Sequence, residues 1–236
     1  MDLSLLFYSQ EAERPEDTRK ESFLLLNKTL VFHFSPTHHS LWGNLLWNGS
    51  KKIAALVEKN TIDVRGRSVL ELGAGVCLGS VACVLCGAKN VVSTDYPSDC
   101  LAKNMERNIR GNVSGEAERS RIAWCGYRWG DSVDGLLGHN GSEKFDVVLM
   151  GDLVFNHSEH RRLAWTVKAV LKEDGIAVSS FSHYRPKLKE RDRQFLSCLE
   201  KEGLSSLLVD ESAGSESPNE DCAGKEVWTY SHCVSK

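Results

Sequence analysis

The stretch VLELGAGVCLGS, residues 69–80, decides the fold. An apolar run ends there in Glu71, passes through Gly73 and Gly75, and continues into small residues that suit a helix. Glycines at such a point permit a tight turn and let the backbone approach a ligand without interference from a Cβ atom. The stretch therefore predicts a β-strand, a ligand-binding turn and an α-helix in direct succession.

The same alternation of strands and helices continues along the chain. Apolar runs predict strands over residues 68–72, 90–94, 122–125, 145–150, 176–181, 204–209 and 226–234. Helices are predicted over 79–87, 97–110, 157–172 and 187–202, with a Gly-rich loop from 126 to 141. Alternating elements indicate a parallel sheet covered on both faces, and the last two strands, joined by a loop alone, should pair antiparallel. The expected fold is α/β, a Rossmann-like, seven-stranded, mostly parallel sheet with helices on both faces and an antiparallel last strand.

The first part of the chain has a different pattern. Residues 1–40 are polar and then alternate between apolar and polar from Phe23 to Phe34, which predicts an N-terminal extension with a hairpin. Behind it, apolar residues recur at helical spacing from Trp42 to Leu56 and predict an amphipathic helix packed on a larger body. We therefore expect one domain over residues 41–236, preceded by the extension 1–40.

Composition and charge exclude several classes of protein. The chain has 236 residues, 26% of them charged, and a formal net charge of -3. A general nucleic-acid binder should carry a basic excess, because phosphate neutralisation supplies most of its affinity. We expect no membrane span, since no apolar stretch approaches roughly 18–20 residues, and no secretory signal. A monomeric, cytoplasmic protein is expected, in which the cysteines, including the Cys83-x-x-Cys86 pair, are small apolar residues.

A second acidic residue completes a cofactor-binding pattern. Asp95 ends the next strand, 20 positions after Gly75, and ligands of open α/β sheets bind beyond the carboxyl ends of the strands. A carboxylate there can accept hydrogen bonds from both hydroxyls of a ribose. The spacing G-x-G-x-x-x-G through Gly79 departs from that of dinucleotide sites, and Glu71 should repel a pyrophosphate but tolerate a cation. S-adenosylmethionine is therefore favoured over NAD, while a dehydrogenase and a turn without ligand stay open.

Several segments carry a family resemblance. ELGAG (71–75) followed by TDYP (94–97) resembles the seven-strand methyltransferases. LLWNGSKKIA (45–54), YRWGD (127–131) and GDLVFNHSEH (151–160) are similar to the protein-lysine methyltransferase branch of that fold. Within this branch, HSLWGNLLWN (39–48) and DLVFNHSEH (152–160) are most similar to the methyltransferases that modify the N-terminus and a lysine of elongation factor 1-alpha. The resemblance runs from about residue 36 to residue 185.

The resemblance implies a set of cofactor-binding residues. Trp47 would lie near the methionine end of the cofactor, Asp95 would hold the ribose, and Trp129 would lie near the adenine. The full set that the resemblance implies is Trp47, Gly73, Ala74, Gly75, Asp95, Trp129 and Gly151.

Asp152 and Phe155 are the catalytic candidates. They match the D-x-x-aromatic motif of the branch, with phenylalanine here where several relatives carry tyrosine. An amine must be neutral to attack a methyl group, and a carboxylate such as Asp152 can orient it and accept its hydrogen bonds. Other readings stay open, since Asp152 could orient the following loop, Phe155 could be core, and Asn156 and His157 could cap a helix.

Two further residue patterns bear on the site. His183 and Tyr184 follow a strand on the ligand side and are expected to line the substrate channel. His157-x-x-His160 has ligand-like spacing on a helix, but no third ligand is apparent, so no metal is expected.

The expected function is methylation of a lysine or an N-terminal amine of a protein, with elongation factor 1-alpha as the suspected partner. Two alternatives stay open. A small-molecule methyltransferase of the nicotinamide type would share the cofactor site and could use residues 1–40 as a lid. A non-catalytic scaffold could retain the fold, although the intact set of Glu71, Gly73, Gly75 and Asp95 argues against it.

Overall fold

The computed structural model describes residues 19–34, 45–213 and 228–236. The strands are β1 (Lys20–Leu25), β2 (Lys28–His33), β3 (Ser68–Leu72), β4 (Asn90–Asp95), β5 (Ile122–Gly126), β6 (Phe145–Gly151), β7 (Leu171–Ser182), β8 (Ser205–Ala213) and β9 (Trp228–Ser235). The helices are α1 (Asn48–Glu58), α2 (Leu78–Leu85), α3 (Asp99–Asn112), α4 (Glu116–Arg119), α5 (Asp134–Gly138), α6 (His160–Val170) and α7 (Lys189–Lys201). None of the helices in these ranges is both long and apolar enough to cross a bilayer.

Seven of the strands form one sheet in the order β5-β4-β3-β6-β7-β9-β8. Strands β3 to β7 pair in parallel, and β9 lies antiparallel between β7 and β8. The predicted seven-stranded, mostly parallel sheet with an antiparallel last strand is confirmed. The strand order reverses between β3 and β6, which opens a cleft at the carboxyl ends of these two strands.

The helices cover both faces of the sheet because its central strands are apolar on both sides. Along β3, Val69 packs into the core beneath α1, α2 and α3, whereas Leu70 packs into the core beneath α6 and α7. Val147 and Val148 of β6 divide between the same two cores. Successive side chains of a strand point to opposite faces, so a continuous apolar run is what a doubly covered sheet requires.

Several element boundaries differ from the prediction. Helix α3 begins at Asp99 and not at residue 97, because Tyr96 and Pro97 lie in the turn that leaves β4. Helix α6 ends at Val170, and β7 begins immediately at Leu171 with an irregular register that returns to regular pairing at Ile176.

The segment 126–141 also differs, since it holds a short helix where the sequence predicts only a loop. The stretch DGLLG of α5 turns its Leu136 into the core, and this tertiary contact outweighs the poor helix propensity of glycine. The helix predicted from Trp42 onward begins at Asn48, and residues 42–44 of that prediction lie outside the described ranges.

A hairpin of β1 and β2 precedes α1. The two strands pair antiparallel around Leu26 and Asn27, whose φ values of 49° and 59° are those of a two-residue hairpin turn. Four of its apolar residues join the same core as α1, α2 and α3, namely Leu25, Leu30, Phe32 and Phe34. Residues 1–18 and 35–40 of the expected extension 1–40 lie outside the described ranges.

Two asparagines of α3 hold the hairpin in place. The Asn108 side chain accepts the His33 N–H at 2.8 Å and donates to the His33 carbonyl at 2.9 Å. Asn112 makes the equivalent pair of bonds to Val31, at 2.8 and 2.9 Å. Each amide thus supplies the donor and acceptor that a neighbouring strand would offer to β2.

We expect Asn108→Ala to lower the free energy of unfolding by about 1–3 kcal/mol, because it leaves both backbone groups of His33 without that partner. Urea unfolding measures the change, and hydrogen exchange at the His33 amide reports the local opening. Asn104→Ala is the matched control, since Asn104 is buried on the same helix and its amide nitrogen has no partner among the described residues. Equal losses in the two variants would contradict a specific role of the Asn108 bonds.

Candidate active site

A cavity of about 460 Å³ opens at the carboxyl ends of β3, β4 and β6. Its volume lies in the range of small-molecule sites, about 300–1,000 Å³. The nine residues predicted to bind the cofactor or act in catalysis all line it, namely Trp47, Gly73, Ala74, Gly75, Asp95, Trp129, Gly151, Asp152 and Phe155. The structure therefore brings together residues spread over more than one hundred positions of the sequence.

The glycine loop after β3 has a conformation that needs glycine. Gly73 and Gly75 have φ values of 60° and 53°, in the left-handed region that side chains disfavour. A Cβ atom on Gly73 would also come within 2.5 Å of Leu153 Cδ2. The backbone of this loop therefore forms the floor of the cavity directly.

Asp95 connects this loop to the end of β4. One of its carboxylate oxygens accepts the Gly75 N–H at 2.6 Å, and the other accepts the Tyr96 N–H at 2.7 Å. A carboxylate has about four acceptor positions, so it can also accept hydrogen bonds from hydroxyl groups in the cavity. This arrangement suits a ribose diol.

Tyr96 and Arg128 form an outer wall of the cavity that the sequence analysis missed. The Arg128 guanidinium lies 5.5 Å from the centroid of the Tyr96 ring and donates to its hydroxyl at 3.2 Å. Their signal in the sequence is their place in TDYP (94–97) and YRWGD (127–131), where Tyr96 follows Asp95 and Arg128 precedes Trp129.

Glu71 does not line the cavity, which corrects the expected direct effect of its charge on a ligand. Its carboxylate accepts the backbone N–H of Ser80 at 2.8 Å and the Ser80 hydroxyl at 2.5 Å. Burial raises the pKa of the Glu71 carboxyl to about 7, against the lowering effect of the Ser80 bonds. Glu71 therefore caps the first turn of α2, and Gly79 is needed because a Cβ there would collide with this carboxylate.

Asp152 has a related structural position at the other side of the cleft. It is buried, with a φ of 55°, and its Oδ2 accepts the Gly49 N–H at 2.5 Å. Oδ2 also accepts the Tyr184 hydroxyl at 3.0 Å, and Oδ1 accepts the Ser182 N–H at 2.8 Å. Burial raises the pKa of the Asp152 carboxyl to about 7, although all three bonds favour the charged form. Asp152 therefore holds the first turn of α1 and the end of β7, besides facing the cavity.

A small recess adjoins the main cavity at Asp152. It has a volume of about 30 Å³ and is lined by Trp47, Asp152, Val154, Phe155, Ser182, Tyr184 and Arg185. Trp47 and Tyr184 meet edge to face with ring centroids 4.9 Å apart. Trp47, Asp152 and Phe155 line both spaces, so the recess and the cavity meet at these three residues. We call this smaller space the aromatic recess.

The histidines near the site have separate partners. His157 Nε2 and His183 Nδ1 each lie 2.7 Å from a different oxygen of the buried Asp192, while His160 Nε2 lies 2.7 Å from the Val154 carbonyl. No group of three potential metal ligands occurs among the described residues. His183 lines neither the cavity nor the recess, contrary to the expectation from the sequence, whereas Tyr184 lines the recess.

The helix beginnings around residue 157 carry no side-chain cap. Neither Asn156 nor Glu159, at the two N-cap positions, makes a side-chain capping bond, and the Asn156 side chain accepts the Ser158 hydroxyl instead. The capping role considered for Asn156 and His157 is therefore not what the structure shows.

Comparison with known proteins identifies the family. The model of a family described as lysine methyltransferase matches residues 35–202. The chain belongs to this lysine methyltransferase family. The protein N-terminal and lysine N-methyltransferase efm7 of Schizosaccharomyces pombe is 36% identical over 199 residues, covering 82% of this chain and 77% of the relative. The protein of the same name in Aspergillus fumigatus is 32% identical over 234 residues, covering 95% of this chain and 89% of the relative.

Solved structures agree with the methyltransferase fold. A protein assigned as a methyltransferase and solved in complex with SAH superposes with a TM-score of 0.63 at 12% identity, covering 94% of this chain and 57% of that one. A ribosomal protein L11 methylase of Lactobacillus delbrueckii subsp. bulgaricus has a TM-score of 0.55 at 19% identity, covering 79% of this chain and 78% of that one. The enzyme is an S-adenosylmethionine-dependent methyltransferase, so a dehydrogenase and a non-catalytic scaffold no longer apply.

The residues of the cavity fit S-adenosylmethionine. This cofactor supplies a methyl group activated on a positively charged sulfur. The glycine loop of the methyltransferase leaves its backbone open to the cavity, and Asp95 has acceptor positions for the ribose hydroxyls. Trp129, half-buried at the cavity wall, offers an aromatic surface to an adenine ring. Gly151, which also lines the cavity, lets the first turn of α1 lie close to the end of β6, because a Cβ there would come within 2.6 Å of Ser50 Oγ.

We expect Asp95→Ala to raise the Kd for S-adenosylmethionine about 10- to 100-fold, because hydrogen bonds to a charged group contribute roughly 1.5–3 kcal/mol. Isothermal titration calorimetry measures the change. Asp99→Ala removes an acid four residues further on that does not line the cavity, and it should leave the Kd unchanged. A Kd that stays at the parent value in Asp95→Ala would contradict the assignment of Asp95 to the cofactor.

We expect the buried Glu71 to make the methyltransferase less stable as the pH rises. Its pKa is about 7 in the folded protein against 4.5 ordinarily, so the folded state binds the proton more tightly. The stability contributed by this proton is present below about pH 4.5 and is lost as the pH rises through about 7. Glu71→Gln should therefore reduce the fall in the free energy of unfolding between pH 5 and pH 8, measured by urea unfolding.

Glu106→Gln is the control for this pH dependence. Glu106 is an acid on α3 whose side chain is 41% exposed and pairs with Arg110. This variant should show the same fall in stability as the parent. If Glu71→Gln also keeps the full fall, then another group is responsible for it.

Proposed function

We propose that this methyltransferase methylates an amine of another protein, either a lysine side chain or the N-terminal amine, and that elongation factor 1-alpha is its substrate. The observation that carries the proposal is the aromatic recess, in which Trp47, Phe155 and Tyr184 surround the Asp152 carboxylate. Aromatic walls and one carboxylate are what an amine-bearing side chain requires for recognition.

The recess also suits the chemistry of amine methylation. An amine attacks only in its neutral form, yet the reference pKa of lysine is about 10.4 and that of an N-terminal amine about 7.7–8.0. An apolar surrounding disfavours the charged form and lowers both values. Asp152 accepts three hydrogen bonds from the protein, which leaves about one of its roughly four acceptor positions for an amine N–H. Asp152 can therefore fix the direction of the nitrogen lone pair.

The position of the recess supports transfer between two bound groups. Trp47, Asp152 and Phe155 line both spaces, so an amine in the recess lies at the border of the cavity that suits the cofactor. Holding two reacting groups in a fixed orientation supplies a large part of the rate of such displacements. Phe155 contributes a wall without a hydroxyl, and the only hydroxyl of the three aromatic residues of the recess is that of Tyr184.

The relatives support the nature of the substrate. Those of fission yeast and Aspergillus fumigatus are named as protein N-terminal and lysine N-methyltransferases, and the family match extends through the DLVFNHSEH segment that forms part of the recess. The link to elongation factor 1-alpha rests on the resemblance of the sequence. We propose further that the enzyme acts as a monomer in the cytoplasm.

Incubation of the enzyme with radiolabelled S-adenosylmethionine and a cell lysate tests the proposal. We expect one labelled band at the mass of elongation factor 1-alpha, and mass-spectrometric mapping of that band then identifies the methylated amine. Asp95→Ala, tested at low cofactor concentration, is the control and should give a much weaker band. Label recovered only in small molecules would overturn the proposal and favour an enzyme of the nicotinamide type.

A further inference from the structure

Arg185 lies at the mouth of the aromatic recess without a carboxylate partner. Its side chain is exposed and lines the recess together with Trp47, Phe155 and Tyr184. Within the described part of the chain its guanidinium forms no ion pair, the twelve ion pairs there all involving other residues. The mouth of the recess thus carries a positive charge that forms no ion pair with any described carboxylate.

The backbone that carries Arg185 is held firmly on both sides. The preceding residue, Tyr184, is buried and bonded to Asp152, and His183 is bonded to the buried Asp192. On the other side the Arg185 carbonyl accepts the Leu188 N–H at 2.8 Å and begins a short 3₁₀ turn. The backbone of Arg185 is therefore fixed at the rim of the recess, and only its side chain can move.

The other two arginines of the site, Arg128 and Arg162, line the main cavity and not the recess. Arg162 pairs with Glu159 at 3.3 Å, and Arg128 lies against Tyr96 at the far wall of the main cavity. The two buried acids nearest the recess, Asp152 and Asp192, have their oxygens bonded to groups other than Arg185. No described acid therefore forms an ion pair with Arg185, although Asp152 lines the same recess.

A guanidinium without an ion-pair partner affects which charged groups of a substrate can bind at the mouth of the recess. It disfavours a second cation beside the entering amine and favours a carboxylate, which it can bind through two parallel hydrogen bonds. Resting on the proposed function, we propose that Arg185 binds the carboxylate of an aspartate or glutamate that flanks the methylated amine in the substrate. The enzyme then requires an amine with an acidic neighbour, and Arg185 is a specificity-determining residue.

Kinetics on short synthetic peptides test this inference. The peptides copy the sequence around the mapped amine and carry glutamate, glutamine or lysine at the flanking position. We expect the parent enzyme to have a kcat/KM about 10- to 100-fold higher for the glutamate peptide than for the glutamine peptide, as for other hydrogen bonds between charged groups. In Arg185→Glu this preference should reverse in favour of the lysine peptide, while the KM for S-adenosylmethionine stays at the parent value.

Lys187→Glu is the matched control, since it makes the same change at an exposed residue that lines neither the recess nor the cavity. It should keep the parent preference for glutamate. If Lys187→Glu reverses the peptide preference to the same extent, a direct contact between Arg185 and the substrate carboxylate is contradicted. The same holds if Arg185→Glu raises only the KM for S-adenosylmethionine. If the parent enzyme methylates the glutamate and glutamine peptides equally well, this inference fails and the proposed function stands. If it methylates neither peptides nor protein, the proposed function itself fails.

Discussion

The active site depends on the three hydrogen bonds that the buried Asp152 carboxylate accepts. They join the first turn of α1, the end of β7 and the Tyr184 hydroxyl around one side chain. A carboxylate is costly to bury unless donors surround it, so the folded state keeps all three groups together around it. Trp47, which directly precedes α1, and Tyr184 acquire their positions from this arrangement. The aromatic recess is therefore a consequence of how the hydrogen-bonding capacity of one buried acid, Asp152, is satisfied.

Glu71, on the opposite side of the cleft, is a second buried acid whose carboxylate is surrounded by hydrogen-bond donors. Its carboxylate binds the first turn of α2, as Asp152 binds the first turn of α1. The N-terminus of a helix carries partial positive charge and free N–H groups, which offset part of the cost of a buried acid. Both acids nevertheless have pKa values near 7 because burial outweighs their hydrogen bonds. The two helices that border the cofactor loop are thus each anchored to a strand end through a carboxylate.

The features that were predicted correctly from the sequence are those that local residue patterns determine. The strand, turn and helix around Gly73 and Gly75 follow from residue types within a few positions, and so does the alternation that indicates a parallel sheet. The cap that Glu71 forms and the bond between Asp152 and Tyr184, 32 residues apart, were not predicted. Such pairings depend on the three-dimensional path of the chain, and neither residue type nor spacing indicates them. The start of α3 at Asp99 was also missed, because Tyr96 and Pro97 lie in the turn that leaves β4.

The hairpin of β1 and β2 has a practical consequence for any shortened form of this protein. Its apolar residues Leu25, Leu30 and Phe32 are part of the core beneath α1, α2 and α3, and Asn108 completes the backbone pairing of its second strand. A truncated chain that begins after the hairpin would leave an apolar groove along α3 with polar amides facing solvent. Expression of a minimal catalytic fragment should therefore retain residues from at least Arg19 onward, because the hairpin shares its core with the enzyme.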